Sequence, residues 1–469
     1  MIKSALFVTP FPKSAKVIME ASQLPPIGLA YTAAFLESKG LKCWIIDANL
    51  LKYDEEKVLE IIKENNPELV GVSFNIATVK EAINIAAESK KLGKKVILGG
   101  PSAKGELQAI LEKSKADCIV RSEGEIVTWN LIENNFDLPN IKGIAYLSEG
   151  KVTFTPEEDK IKDVDALPFP AYHLLPDLDL YKNRSRRHPI APMVTSRGCP
   201  YGCSFCGSAY TGWRARSPKN VVTEIEYLIR NFNVKQIDIL DDNFTFNLER
   251  AEKICDLIIS KNLDIYITFP NGLRADRLSE KLVEKLAKAG VYRTGIGIES
   301  GDQKVVNNIN KSLKLEQVKE ALQWLRKYKI VTFGYFQFGL PGDTKESMQK
   351  TIDFALDVNP NWANFGITTP LPGTPLYNDL KSKGKINMAE EEGIDSGFYS
   401  VKSGHYETGD VTMEDVMSYQ KTAWKKFYFR PRKIIDLLGT IKSYRELEWT
   451  VSLTLPILKG VIFKKDKAS

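Results

Sequence analysis

Short apolar runs alternate along this chain with longer stretches in which apolar residues recur every three or four positions. The runs have the length of buried strands, and the longer stretches carry the period of amphipathic helices. Over the first 150 residues strands are predicted near Ala5–Val8, Cys43–Ile46, Leu69–Phe74, Lys95–Leu98 and Cys118–Val120. Helices are predicted near Ile27–Ser38, Glu55–Lys63, Val79–Leu92, Gly105–Lys113 and Gly124–Asn134. Five βα units with short connections argue for a doubly wound parallel sheet. Residues 151–188 read as a linker, because Pro168, Pro170 and Pro176 interrupt any helix. A second βα series starts near residue 189, with strands near Pro192–Ser196, Gln236–Leu240, Asp264–Phe269, Arg293–Ile298, Val331–Phe338 and Ala363–Thr369. The intervening helices are near Asn220–Asn231, Leu248–Ser260, Glu280–Lys288, Leu315–Tyr328 and Lys345–Val358. Six units predict a partial barrel over residues 189–375, short of the eight of a closed one. Residues 376–469 are expected to be mainly helical, with one helix over Met413–Phe427. The apolar stretch Leu447–Phe463, broken by Pro456 and followed by Lys464-Lys465, is expected to pack on the barrel, with a membrane-surface segment as the alternative.

Composition narrows the class. The 469 residues are 43% hydrophobic and 26% charged, as in a globular protein of more than one domain. No apolar run reaches the roughly 18 residues of a membrane-spanning helix. The first residues, Met1-Ile-Lys-Ser-Ala-Leu-Phe-Val, turn directly into a strand and lack signal-peptide anatomy. Six cysteines, three of them clustered, do not suggest a disulfide framework. A cytoplasmic location is expected. The formal charge of +6 is concentrated in residues 411–469, where 12 Lys and Arg face 6 Asp and Glu. The rest of the chain is neutral overall, so a general nucleic-acid binder is not expected, whereas the C-terminal region suits a peripheral contact with something anionic, such as a membrane.

The strongest chemical signal is Thr195-Ser-Arg-Gly-Cys-Pro-Tyr-Gly-Cys-Ser-Phe-Cys206. Glycine and proline make it a loop, and it leaves the end of the first strand of the second series. Thiolates bind soft and borderline metals. Structural zinc sites use two separated ligand pairs, and no second pair follows. Cys199, Cys203 and Cys206 can instead hold three corners of a four-iron cluster and leave the fourth iron open. The strand ends of the first series are also distinctive: Thr9-Pro-Phe-Pro, Asp47-Ala-Asn, Ser73-Phe-Asn75, Gly99-Gly-Pro101 and Ser122-Glu-Gly-Glu125. No G-x-G-x-x-G follows the first strand, which argues against a dinucleotide site. Cys43, Cys118 and Cys255 lie in apolar surroundings and read as core residues.

The spacing Cys-x-x-x-Cys-x-x-Cys at the end of a barrel strand resembles the signature of the radical S-adenosylmethionine (SAM) superfamily. Later strand ends extend the likeness: Asp238-Ile-Leu-Asp-Asp-Asn-Phe244, Asn271-Gly-Leu-Arg274, Gly297-Ile-Glu-Ser-Gly301, Gly339-Leu-Pro-Gly342 and Pro370-Leu-Pro-Gly-Thr374. The resemblance implies a 4Fe-4S cluster on Cys199, Cys203 and Cys206. It implies SAM contacts from Phe205, Asp241, Asp242, Arg274, Glu299, Ser300 and Gly339. In the first 150 residues, Leu24-Pro-Pro-Ile-Gly-Leu-Ala-Tyr31, Val70-Gly-Val-Ser-Phe74, Leu98-Gly-Gly-Pro101 and Ser122-Glu-Gly-Glu125 resemble the Rossmann-like cobalamin-binding domain fused ahead of many radical SAM enzymes. That likeness implies cobalamin contacts from Thr9, Pro26, Gly28, Ser73, Asn75, Gly99, Gly100 and Glu123. The Asp-x-His-x-x-Gly motif of many cobalamin domains is missing, and His173, His188 and His405 all lie outside the domain. The lower face of cobalt is therefore expected to lack a histidine ligand.

The family likeness implies reductive SAM cleavage, hydrogen abstraction from an unactivated carbon and methyl transfer from methylcobalamin. An external one-electron reductant such as flavodoxin or ferredoxin is the implied partner. Radical ring formation or rearrangement without methyl transfer is a second expectation, and a non-catalytic cobalamin or metal sensor a third. Among substrates, a lipid, a peptide or protein side chain, and a natural-product intermediate all remain open.

Overall fold

The computed structural model describes residues 2–13, 24–104, 107–181, 184–386 and 411–452. Described residues up to Tyr181 form one compact unit, and those from Arg184 onward form a second.

The first unit is built on seven strands: β1 (Ser4–Thr9), β2 (Lys42–Asp47), β3 (Leu69–Ser73), β4 (Lys95–Gly99), β5 (Cys118–Val120), β6 (Ile144–Ser148) and β7 (Lys151–Phe154). Their order in the sheet is β2-β1-β3-β4-β5-β6-β7, with parallel pairing as far as β5. Strands such as β1, with Ala5 to Val8 all buried, are apolar on both faces because helices cover both. The chain reverses direction between β1 and β3, which places the carboxyl ends of those strands, Thr9 and Ser73, at a topological switch point where such sheets bind ligands. Helix starts are set locally. Asp54 accepts the backbone N–H of Lys57 and so caps the helix Glu55–Asn65, whose first turn is acidic. The helix predicted over Gly105–Lys113 spans Gln108–Ser114, its predicted start lying outside the described residues.

Two features of this unit depart from expectation. β6 and β7 form an antiparallel hairpin beyond β5, turning through Glu149 and Gly150 at φ 50° and 76°. Positive φ at both positions matches the turn that follows strand twist. The expected linker is also not free. Thr155 N–H donates to the carbonyl of Ile144 at 3.0 Å, Ala171 N–H to that of Ala30 at 3.0 Å, and the buried Tyr181 hydroxyl to Asp47 at 2.8 Å. The compact unit therefore runs past the expected boundary at residue 150.

The second unit is a six-stranded parallel sheet in chain order: β8 (Ile190–Met193), β11 (Gln236–Ile239), β12 (Tyr266–Leu273), β13 (Val291–Glu299), β14 (Val331–Phe338) and β15 (Trp362–Ile367). Helices Pro218–Phe232, Leu248–Ser260, Glu280–Lys288, Leu315–Lys327 and Lys345–Val358 link them, as the periodicity predicts. This is a (βα)6 partial barrel. β12 runs four residues further than predicted, with a register shift before Leu273 that accommodates Pro270 and Gly272. Pro192 sits in β8, the edge strand, where a missing N–H is tolerated. At the other edge, helix Met413–Tyr428 covers β15. Tyr428 Oη donates to the carbonyl of Ala363 at 2.6 Å and accepts its N–H at 2.9 Å, and Gln420 donates to the carbonyl of Phe365 at 2.8 Å.

Helix Pro431–Thr440 follows, and residues 444–452 are helical. Trp449 packs edge-on against Phe333 and Trp362, and these three rings surround the buried Arg184 guanidinium at 4.6–5.1 Å. Of the apolar stretch expected to pack on the barrel, Trp449 does so, whereas Leu447 and Val451 are exposed. Residues 453–463, Lys464-Lys465 and His405 lie outside the described residues.

Gly100 tests the close fit at the strand ends of the first unit. Its φ is +120°, and a Cβ there would lie 2.4 Å from the carbonyl oxygen of Phe74. Gly100→Ala should destabilise the first unit by about 2 kcal/mol or more, read as a lower midpoint in urea denaturation of the full chain. Gly28→Ala, where a Cβ meets nothing within 4 Å, should leave that midpoint essentially unchanged.

Candidate functional site: the three-cysteine loop and the strand ends around it

The cysteine loop is held at its neck by a buried carboxylate. β11 delivers Asp241 beside the end of β8, where one oxygen accepts the backbone N–H of Thr195 at 2.6 Å. The other accepts the hydroxyls of Thr195 at 2.6 Å and Ser196 at 2.5 Å. Burial pushes the Asp241 carboxyl up, while those hydrogen bonds and the nearby Arg250 oppose the shift. Next to the neck, β9 (Ser196–Arg197) pairs antiparallel with β10 (Arg214–Ala215) and closes residues 198–213 into a loop. Gly198 at φ +81° brings the two arms together, since a Cβ there would lie 2.1 Å from the carbonyl oxygen of Gly212. Cys199 N–H donates to Thr211 Oγ1 at 3.0 Å, and Thr211 N–H returns to the Cys199 carbonyl at 3.1 Å. The far side of the loop is tied to later elements: Ser204 N–H donates to Ile309 and Leu376 N–H to Ser204, at 3.0 and 2.8 Å.

Cys199, Cys203 and Cys206 are free and half-buried. Ser208 N–H points at Cys206 Sγ (3.4 Å), and the Asn243 amide lies 3.9 Å from Cys199 Sγ. Burial is the main cause that pushes the Cys199 and Cys206 thiols up, against the hydrogen bonds from Tyr201 and Asn243 to the first and from Ser208 to the second. A metal would supply the positive charge that these thiolates lack. Among the described residues, no three His, Cys, Asp or Glu side chains are gathered as around one ion. A four-iron cluster takes each thiolate at a separate corner, and three thiols with no fourth partner suit three corners.

The remaining strand ends sort into residues that face the loop and residues engaged with the frame. Asp242 is exposed and accepts the Ser208 hydroxyl at 2.9 Å, whereas its neighbour Asp241 is turned into the neck. Glu299 sits at φ +69°, a conformation costly for a residue with a Cβ by about 1–3 kcal/mol. It is fixed there by Lys311 (2.6 Å) and Gln337 (2.8 Å). Ser300 faces the frame, its hydroxyl 3.1 Å from that of Thr351 and accepting Asp302 N–H. Arg274 stacks on the Tyr201 ring at 3.6 Å and donates to Asp276 and to the carbonyls of Lys311 and Ser312. It therefore buttresses the loop. Phe205 packs among Val305, Ile309, Leu340, Leu376 and Leu380. Gly339, at φ +77°, leaves space that a Cβ would fill against Val416. Tyr201, Asn243, Lys311 and Gln337 belong to this constellation although the sequence did not single them out.

Two family models match this chain: the radical SAM superfamily over residues 193–355, and the B12 binding domain over residues 17–131. An uncharacterised methyltransferase, PH0819, of Pyrococcus horikoshii is 30% identical over 92% of this chain and 94% of its own length. An anaerobic magnesium-protoporphyrin IX monomethyl ester cyclase of Rubrivivax gelatinosus is 31% identical over 78% of this chain and 68% of its own. Among solved structures, the radical SAM methyltransferase TsrM from Kitasatospora setae, with cobalamin and a 4Fe-4S cluster bound, aligns with a TM-score of 0.73. Identity there is 17%, over 97% of this chain and 98% of that one. The cobalamin-dependent enzyme OxsB aligns with the same score at 18% identity, over 99% of this chain and 74% of its own. The chain belongs to the radical SAM superfamily and carries a B12-binding domain.

In this radical SAM protein Thr9, Ser73, Asn75, Gly99, Gly100 and Glu123, expected at cobalamin, stand at or shortly after strand ends of the first unit, and Pro26 and Gly28 at a helix start. Thr9 and Ser73 close β1 and β3. Phe74 N–H donates to the carbonyl of Gly99 at 2.8 Å, joining the ends of β3 and β4, and Gly100 is pressed against Phe74. Asn75 is engaged in its own turn, accepting Ala77 N–H at 2.8 Å. Pro26 and Gly28 open the helix Ile27–Ser38, with Gly28 exposed. Glu123 precedes helix Gly124–Glu133 and accepts Ile161 N–H at 2.9 Å. The Thr9 hydroxyl at the end of β1 is buried without a hydrogen-bond partner among the described residues, a polar group able to meet a ligand.

Asp241 and Asp242 should separate experimentally. Asp241→Asn replaces an acceptor of three hydrogen bonds with a group that also donates, and should cost about 1–3 kcal/mol. It should also lower the iron retained after anaerobic reconstitution. Asp242→Asn, at an exposed position, should change stability by no more than about 0.5 kcal/mol. Denaturation of the full chain and an iron assay provide the two readings.

Proposed function

We propose that this protein is a cobalamin-dependent radical SAM methyltransferase acting on an unactivated carbon. The observation that carries the reading is the loop of three free, half-buried thiols with no fourth, closed at the end of the first barrel strand. Cys199, Cys203 and Cys206 would hold a 4Fe-4S cluster. Asp242, Glu299 and Gly339 would line the SAM side, with Phe205 as an apolar support and Lys311 and Gln337 orienting Glu299. Asp241, Arg274 and Ser300 would act through the frame, Asp241 fixing the neck of the loop and Arg274 clamping Tyr201. Thr9, Pro26, Gly28, Ser73, Asn75, Gly99, Gly100 and Glu123 would surround cobalamin; His173, which the first unit includes, is paired with Glu37. When bound, these groups supply one-electron cleavage of SAM, hydrogen abstraction and methyl delivery; the protein supplies binding, orientation and exclusion of water.

Methyl transfer is favoured by the likeness to PH0819 over nearly the whole of both chains. Ring formation is the second reading, favoured by 31% identity to the R. gelatinosus cyclase. The reading includes an external one-electron donor of the flavodoxin or ferredoxin class and a location in the cytoplasm with peripheral contact at a membrane. No helix among the described residues is long and apolar enough to cross one.

Product analysis after anaerobic reconstitution with iron, sulfide and cobalamin decides between the readings. Under strong reductant with substrate, methyl transfer yields 5′-deoxyadenosine together with S-adenosylhomocysteine. 5′-Deoxyadenosine alone supports the ring-forming reading and rejects methyl transfer. Cys203→Ala should reduce SAM cleavage to background; retained cleavage would reject the cluster assignment.

A further inference from the structure

The two helical segments after Arg430 are turned inside out. Helix Pro431–Thr440 buries Lys433 and Thr440 while exposing Ile434, Ile435 and Leu438 at 50%, 70% and 62%. Lys433 is held inside by Asn359 and the carbonyl of Pro360. The helical residues 444–452 repeat the arrangement. Glu446 is buried and Trp449 packs on Phe333 and Trp362, whereas Tyr444, Leu447 and Val451 face solvent. Those three are spaced i, i+3, i+7, one stripe of a helix. Phe429, just before the first of these helices, is half exposed as well. Single exposed apolar residues are ordinary, but apolar stripes on two successive helical segments mark a contact surface. Among the described residues, eight of twelve exposed large hydrophobics lie between Met417 and Val451.

Charge identifies the occupant. Lys425, Lys426, Arg432 and Lys442 are exposed on the same segment, against exposed Asp436 and Glu448. Residues 411–469 carry the whole net positive charge of the chain. A second copy of this chain would bring like charge against like, which opposes association. An anionic bilayer surface offers what this face lacks: an apolar layer for Ile434, Ile435, Leu438, Tyr444, Leu447 and Val451, and negative headgroups for the cations around them.

We propose that the outward face of helices 431–440 and 444–452 docks the protein on an anionic membrane surface. The proposal gives the peripheral contact of the functional reading a defined surface, and it stands or falls separately from cluster chemistry, because its test needs no turnover.

The test is flotation of the purified full chain with vesicles of phosphatidylcholine alone or mixed with phosphatidylglycerol. The parent protein should float with the mixed vesicles, remain behind with phosphatidylcholine, and be partly released by high salt. The double variant Ile435→Glu/Leu438→Glu should lose flotation while keeping the parent's thermal midpoint, since both side chains are exposed. Arg432→Gln/Lys442→Gln should float several-fold less. The assignment is overturned if the parent ignores anionic vesicles, or if the Glu variant floats as well as the parent. It is equally overturned if deleting residues 453–469 abolishes flotation while the Glu variant retains it. A parent dimer that the Glu variant converts to monomer, with no vesicle binding, would make the face an interface between copies.

Discussion

A buried carboxylate sets the geometry on which the rest of the second unit depends. Asp241 joins the ends of two neighbouring parallel strands by bonding three donors of Thr195 and Ser196. A charge in that position is costly unless it is well hydrogen-bonded. The arrangement therefore tolerates one path of the chain at the loop's neck and disfavours its neighbours. Everything beyond it inherits that placement. The β9–β10 pair starts at Ser196, Gly198 crosses Gly212, and Cys199 exchanges hydrogen bonds with Thr211. The cysteines themselves contribute little to this order, because thiols bond weakly. A loop intended to receive a cluster is thus shaped by groups that need no cluster.

The two carboxylates at the end of β11 illustrate the division of labour. Asp241 and Asp242 follow β11 in the irregular chain after Ile239, and their carboxylates take different directions. One is fixed in the frame and the other is exposed beside Ser208. Glu299 and Ser300 are both buried: Glu299, at a left-handed backbone position, is held by Lys311 and Gln337, and the Ser300 hydroxyl is turned to Thr351.

Most of the fold was legible because its strands are apolar runs and its helices have clear caps and periodicity. What escaped shows where such reading stops. β12 continues through Pro270-Asn-Gly272, residues that by composition signal a break, because a register shift accommodates them. The β6–β7 hairpin turns on Glu149-Gly150, a weaker signal than Asn-Gly or Asp-Gly. The linker was read from its prolines, which do end helices, but prolines do not prevent irregular chain from packing on a sheet. In the candidate site, motif and position single out the three cysteines, Asp242 and Glu299. Asp241 and Asp242 lie in irregular chain beyond β11, where no periodicity says which carboxylate turns inward. Lys311 lies twelve residues beyond Glu299 in a segment without a motif, and only the fold brings the two together.

The partial barrel has two free edges, and both are blunted. Pro192 removes a donor from β8, and Tyr428 and Gln420 occupy the main-chain groups of β15. An open parallel sheet otherwise offers a template on which an extended segment of another chain can add as a further strand. Here neither margin offers an uninterrupted row of donors and acceptors. The barrel can stay incomplete along its side without recruiting foreign strands.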